Sequence, residues 1–175
     1  PAGSAAAICC AQAGLDVVLT ERESFPRDCP GETVHPGIEP LLKELGVLDD
    51  VLSAGFLRHS GNWVSWNNVL QFVPFGADEK GDWRGFQIWR PVFDTILLNH
   101  AKKSGVRIVQ PCQVFGPIVT EETGRRVTGV TTSEGSFKSS FVVDAAGGKH
   151  WIAGRLGIDV LKFSPRLIAH YGYAS

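Results

Sequence analysis

The sequence predicts an α/β fold: helices feeding short parallel strands, interrupted by an aromatic-rich antiparallel stretch and followed by a small antiparallel meander. Three observations predict it. A helix of small residues, 2–13, runs into the short apolar strand 16–20. A second helix, 91–103, runs into strand 106–110. Residues 114–143 then alternate β-branched residues with turn signals, as hairpins do. Helix–strand alternation is the mark of a parallel sheet covered by helices.

Each element has its own reason. Residues 2–13 are rich in alanine, which favours helix and allows close packing, and Gly14 supplies the stop. Val17, Val18 and Leu19 form a buried parallel strand. Residues 21–36 are a loop punctuated by Pro26, Pro30, Gly31 and Pro36, and loops of that length in a domain are functional or mobile. Residues 37–45 form a helix with Ile38, Leu41, Leu42 and Leu45 on one face, and a short helix comes next at 49–54. Residues 61–89 hold four of the five tryptophans among glycines and asparagines, which suits antiparallel strands. The 91–103 helix has Pro91 in its first turn, Phe93, Leu97 and Ala101 inward, and Gly105 as its stop. In the meander, Glu122–Gly124 and Glu134-Gly135 mark turns, and the run Phe141, Val142, Val143 is a closing strand. A last helix covers 150–156, stopped by Gly157.

Composition excludes several classes. With 175 residues, 43% hydrophobic, 20% charged and a net charge of −1, the profile is that of an ordinary globular protein. Disorder as the main state needs fewer apolar residues and more net charge. No apolar run reaches the roughly 18 residues of a membrane span, and the charge balance gives no nucleic-acid face. Cys9, Cys10, Cys29 and Cys112 form no C-x-x-C pair, so no zinc site is expected. Cysteines without obvious pairing suggest a reducing compartment, hence a cytoplasmic location. The chain has no methionine and starts at Pro1, so a partial chain is expected. Neither a metal cluster, a Ser-His-Asp order nor a Gly-Lys-Ser loop is visible, and no side chain stands out as an essential acid or base.

Two constellations carry chemistry. Gly3-Ser4 opens a helix, a strand comes after it, and that strand ends in Glu21. In a dinucleotide-binding unit a pyrophosphate sits on the helix N-terminus, and an acidic residue about 20 positions on binds a ribose. Only half of that fingerprint is present, and plain α/β domains share it. The second is Phe141-Val-Val-Asp144-Ala-Ala-Gly147-Gly148, an apolar strand running into an acid and a glycine pair before a helix. It suits a second phosphate or ribose contact, or simply a strand-to-helix turn. The tryptophan-rich stretch could line an aromatic pocket or form the packed face of a sheet. Cys9 and Cys10 read as core. His35, His59 and Cys29 read as ordinary loop residues before any catalytic role.

Taken in order, Pro-Ala-Gly-Ser with Glu21-Arg22, Phe25-Pro26-Arg27, Gly31-Glu32, Gln87-Ile-Trp-Arg90 and Val-Asp144-Ala-Ala-Gly147 resemble the FAD-binding part of the para-hydroxybenzoate hydroxylase-like flavoproteins. The Phe-Pro-Arg and Gly-Glu pairs look most like the branch of flavin-dependent halogenases and geranylgeranyl reductases. The resemblance implies a Rossmann-like FAD-binding domain of the glutathione-reductase type, with an inserted β-meander and part of an antiparallel substrate-domain sheet. It divides the chain into 1–55 (FAD-binding, lacking its first strand), 56–90 (aromatic-rich, part of the substrate-binding sheet), 91–157 (FAD-binding continued, with the meander and middle dinucleotide motif) and 158–175 (start of the substrate domain). A C-terminal FAD motif is expected beyond the chain.

Residue by residue, the resemblance implies that Gly3 and Ser4 cradle the FAD pyrophosphate and that Glu21 binds the adenosine ribose, with Arg22 near the adenine. Arg27 and Glu32 belong to the loop approaching the isoalloxazine. Arg90 touches the phosphate and ribityl side, and the backbone of Val114 meets the adenine. Asp144 and Gly147 belong to the middle motif, which in relatives also serves reduced nicotinamide nucleotide. The implied function is an FAD-dependent monooxygenase acting on an aromatic or other apolar small molecule, with NAD(P)H or a flavin reductase as candidate electron source. A reductase of the geranylgeranyl type, a halogenase and an inactive nucleotide-binding fragment are the alternatives. Halogenating relatives place a catalytic lysine some thirty residues after the Gly-Glu pair. Here no lysine lies between Lys43 and Lys80, and the expected place falls around Asn62-Trp63.

Overall fold

A computed structural model describes every residue except 32, 122–125, 149, 162, 166–167 and 169–175. The first helix, α1 (Ala2–Gln12), leads to β1 (Val18–Thr20). The fourth, α4 (Arg90–Lys103), leads to β9 (Arg107–Val109). Strands β1 and β9 pair in parallel, Val18 opposite Arg107 and Thr20 opposite Val109. The two helix–strand units therefore lie side by side, and α1 packs against α4. Gly14 and Gly105, the stops read from the sequence, each stand just past a helix end with positive φ, and so does Gly46.

Between these units lie α2 (Ile38–Glu44) and α3 (Leu48–Ser53). A three-stranded antiparallel sheet is built from β2 (Thr33–Val34), β3 (Leu57–His59) and β8 (Gly85–Gln87), with β8 central. Strand β2 falls inside the stretch expected to be pure loop. It forms because β8 offers a free edge: Thr33 faces Gln87, and their side chains share a 2.9 Å hydrogen bond. Hairpins β4 (Gly61–Trp66) with β5 (Val69–Pro74), and β6 (Ala77–Asp78) with β7 (Gly81–Asp82), lie between β3 and β8 in the chain. The meander is β10 (Val114–Thr120), β11 (Arg126–Thr132) and β12 (Gly135–Lys138), with α5 (Trp151–Leu156) packed on β10.

One core holds the helices and the central sheet together. Ile8, Leu42, Val47, Val51, Phe86, Phe93, Leu97 and Ala101 are all buried in it. Burying each large side chain of this kind contributes about 1.5–3 kcal/mol. Asp94 is buried in the same helix face, at 1% exposure.

Four expectations need correction. Residues 141–145 form no strand, because no described neighbour offers them a ladder, and Phe141 and Val143 are exposed. Leu41 is exposed although Leu42 is buried: neighbouring helix residues point about 100° apart, and the core lies on the Leu42 side. The same geometry turns Cys9 outward and leaves Cys10 only half-buried, because α1 buries Ser4, Ala7 and Ile8. The tryptophans at 63, 66, 83 and 89 are exposed rather than packed on a sheet face. The Glu122–Gly124 turn lies outside the described residues.

Candidate functional site

Helix α1 begins without a side-chain cap and without an acidic residue in its first turn. The first N–H groups of a helix have no intrahelical partner, and the dipole makes that end positive. Gly3 sits in this first turn. A β-carbon there would lie 3.5 Å from that of Ala145, so the chain after Val143 runs close past the helix start. Ser4 is buried beside it.

The loop after β1 carries charged groups of its own. Loop residue Arg27 leans towards Glu21 at 3.6 Å and Glu23 at 3.7 Å, with its guanidinium 5.0 Å from the Phe25 ring. Its Nε is buried and has no partner among the described residues.

Glu21 is fixed at the end of β1 from both sides. Its N–H donates to the Val109 carbonyl at 3.1 Å, and its carbonyl accepts from the Cys112 N–H at 2.7 Å. One carboxylate oxygen accepts the Glu23 N–H at 3.0 Å. Arg22 is exposed and pairs with Glu23 at 2.7 Å, and this contact holds the Glu23 carboxyl below its ordinary range. The acid at the strand end is therefore rigid, while its neighbour Arg22 faces solvent.

Arg90 opens α4. Its Nε and Nη2 donate to the two oxygens of Asp94, each at 2.8 Å, and its Nη1 donates to the Pro30 carbonyl at 2.9 Å. Gly31 comes next with φ +105°, a conformation that favours glycine, and a β-carbon there would lie 3.3 Å from Nη1. Donating to the Asp94 carboxylate raises the Arg90 pKa, so the guanidinium stays charged.

Asp144 has both oxygens engaged: one accepts the Ala146 N–H at 2.9 Å, the other the Ile152 N–H at 2.8 Å inside α5. The carboxylate thus ties the 144–147 turn to α5. Gly147 has φ +82° with nothing within 4 Å of a β-carbon built on it. Val114 starts β10, and its carbonyl accepts the Gln113 amide at 3.2 Å. Glu32 lies outside the described residues. The structure therefore joins Arg27 to Glu21, Arg90 to the loop at Pro30 and Gly31, and Gly3 to the chain at Ala145. Arg22 points away. Asp94, the buried partner of Arg90, is a residue that hydrophobic patterning misses. A signal for it exists in the sequence: an Arg and an Asp four positions apart on one helix make a standard facing pair.

No family model matches the chain. It is 30% identical over 159 residues to a tryptophan 2-halogenase of Chondromyces crocatus, an alignment covering 84% of this chain and 28% of that protein. Its structure superposes on the myxobacterial chondrochloren halogenase CndH, an FAD-dependent halogenase, with TM-score 0.77 and 28% identity over 87% of this chain and 36% of that one. In sequence and in fold the chain resembles part of the flavin-dependent halogenases. A probable FAD-dependent monooxygenase from Pseudomonas aeruginosa shares the fold at TM-score 0.75 and 15% identity, over 93% of this chain and 44% of that one. The chain thus spans about a third of the length of CndH and somewhat less of the halogenase.

The residues fit such a cofactor's diphosphate. The helix start at Gly3, two guanidiniums and a buried Nε without a partner among the described residues are donors suited to an anion. No grouping of metal-ligating side chains occurs among the described residues, and no described helix is long and apolar enough to cross a membrane.

Proposed function

We propose that this chain forms the cofactor-binding part of an FAD-dependent halogenase-type enzyme acting on an aromatic or other apolar small molecule. The observation that carries this reading is the arrangement of the loop after β1, where Arg27 stands 3.6 Å from Glu21 and Arg90 donates to the Pro30 carbonyl at 2.9 Å. The likeness to named halogenases directs it towards halogenation. Bound there, FAD supplies two-electron redox chemistry with oxygen.

The chain's own residues bind and orient. The N–H groups at Gly3 and Ser4 take the diphosphate with Arg27 and Arg90, and Glu21 takes the adenosine ribose with its rigid carboxylate. Val114 and Arg22 flank the adenine, and Asp144 and Gly147 hold the turn that passes the helix start. Residues 1–55 and 91–157 are the cofactor-binding unit, 56–90 belong to the substrate sheet, and 158–175 begin the substrate domain. Electrons arrive from NAD(P)H or from a separate flavin reductase.

Monooxygenation is the second reading, favoured by the absence of lysine between Lys43 and Lys80. Asn62 and Trp63, at the place expected for the halogenase lysine, lie in the exposed hairpin β4–β5. The full-length protein, loaded with FAD and given a flavin reductase, NADH, oxygen and indole, distinguishes the two. Bromide-dependent formation of bromoindole supports halogenation. Oxygenated product formed equally without halide supports monooxygenation. A protein that purifies colourless and does not take up FAD refutes both.

A further inference from the structure

Asp94 is buried on a helix otherwise chosen for apolar packing, and none of the roles above uses it. Burying a carboxylate costs several kcal/mol unless it is paired and hydrogen-bonded. Here it is paired in the fork-to-fork geometry that fixes a guanidinium in both position and plane, with two 2.8 Å bonds to Arg90. That leaves Arg90 little freedom. A guanidinium has five N–H groups; two are held by Asp94, and a third reaches across to the Pro30 carbonyl at 2.9 Å. The Cys29 thiol lies beside the same group.

The remaining N–H groups, on Nη1 and Nη2, are what Arg90 can offer an anion. The loop carrying Cys29, Pro30 and Gly31 is thus fastened by Arg90. Gly31 permits that approach, since a β-carbon there would press to 3.3 Å on Nη1.

We propose that Asp94 is a positioning residue: it locks the Arg90 guanidinium so that one side chain holds the 29–31 loop and the anionic part of the cofactor together. The proposal rests on the flavin reading above. Its consequence is reciprocal coupling, because a ligand that engages Arg90 also steadies the loop.

The test uses the full-length protein, stripped of flavin and titrated with FAD by fluorescence quenching. Asp94→Asn is expected to raise the FAD dissociation constant about tenfold, the scale of one charge-assisted hydrogen bond set out of place. In a double-mutant cycle, Asp94→Asn adds nothing once Arg90 is already methionine. Trypsin cleavage after Arg27 is the second readout. It is expected to quicken several-fold in Asp94→Asn, with FAD protecting the wild type more than the variant. An Asp94→Asn protein with lowered Tm but wild-type FAD affinity overturns the proposal, since Asp94 is then only a brace. So does an additive effect in the Arg90→Met background. If Asp94→Asn fails to fold, the apolar pair Arg90→Met with Asp94→Leu replaces it, and wild-type FAD affinity there overturns the proposal equally. If the wild type itself binds no FAD, the flavin reading fails on its own, and the cleavage rate decides the clamp: unchanged cleavage in the variant refutes it.

Discussion

Replacing Arg27 by methionine separates a structural role from a binding role, because the two are expected to differ greatly in size. The ion pairs to Glu21 and Glu23 are 3.6 Å and 3.7 Å long. Both exceed a hydrogen bond, and partly exposed pairs of this kind contribute about 0–1 kcal/mol. The contact with the Phe25 ring, 5.0 Å away, adds about 0.5–1 kcal/mol. Against these stands the buried Nε, which has no partner among the described residues. An unsatisfied buried donor costs about 1–3 kcal/mol, and methionine removes it while keeping most of the side-chain volume. These contributions oppose one another, so unfolding stability is expected to change by less than about 1 kcal/mol, read as the urea midpoint at constant m-value. FAD binding has no such compensation. Losing a charge-assisted hydrogen bond of about 1.5–3 kcal/mol raises the dissociation constant roughly tenfold to a hundredfold. Titration of the flavin-free protein reads this directly. If Arg27→Met instead lowers the urea midpoint clearly and binds FAD like the wild type, Arg27 is a brace for the loop and its place in the diphosphate site is wrong.

Three further outcomes are expected. Glu21→Ala should raise the FAD dissociation constant about tenfold, since it removes a hydrogen-bonding carboxylate with fixed geometry; flavin content equal to the wild type after purification would remove Glu21 from the ribose site. Leu97→Ala, at a side chain 2% exposed, should cost about 2–5 kcal/mol in urea unfolding, and a loss below about 1 kcal/mol would mean that the α1–α4 core is not packed as described. Gly85→Ala should lower Tm, because its β-carbon would lie 2.4 Å from the Val34 carbonyl and 2.5 Å from His59 Cε1, prising β2 from β8 at about 1–3 kcal/mol; an unchanged Tm would place that strand pairing in doubt.

The elements legible in the sequence are those set by local chemistry. Helices α1 and α4 carry their signals within a few residues: small residues ended by Gly14, and Pro91 ahead of Phe93, Leu97 and Ala101. Each helix runs into a short apolar strand, and the parallel pairing of β1 with β9 comes from that repeated unit. Elements that depend on distant partners are not legible in this way. Phe141–Val143 have the composition of a strand, but a strand exists only where another edge accepts its ladder. Strand β2 is the converse, two residues of proline-punctuated loop recruited by the edge of β8. In the site, Glu21 and Arg90 are readable because a strand end and a helix start place their side chains. Asp94 does not emerge from hydrophobic pattern alone: the helix face that buries Phe93 and Leu97 reads as wholly apolar, and only the 2.8 Å contacts show why an acid belongs there.

That acid also explains how a chain with net charge −1 can hold an anion. Binding a diphosphate needs local positive charge, but two bare arginines at one site would repel each other. Here each guanidinium has a carboxylate of its own. Asp94 neutralises Arg90 from within the core, and Glu21 stands 3.6 Å from Arg27 at the end of β1. The two pairings are unequal. Arg90 is bound tightly and in a fixed plane, while Arg27 is held loosely with its Nε unengaged. Arg90 is therefore the preorganised contact, whose orientation is fixed before any ligand arrives. Arg27 has contacts left to gain, so its loop should settle when an anion binds. FAD is accordingly expected to protect the peptide bond after Arg27 from trypsin while Arg90 changes little, and equal protection of free and loaded protein would refute this division of roles.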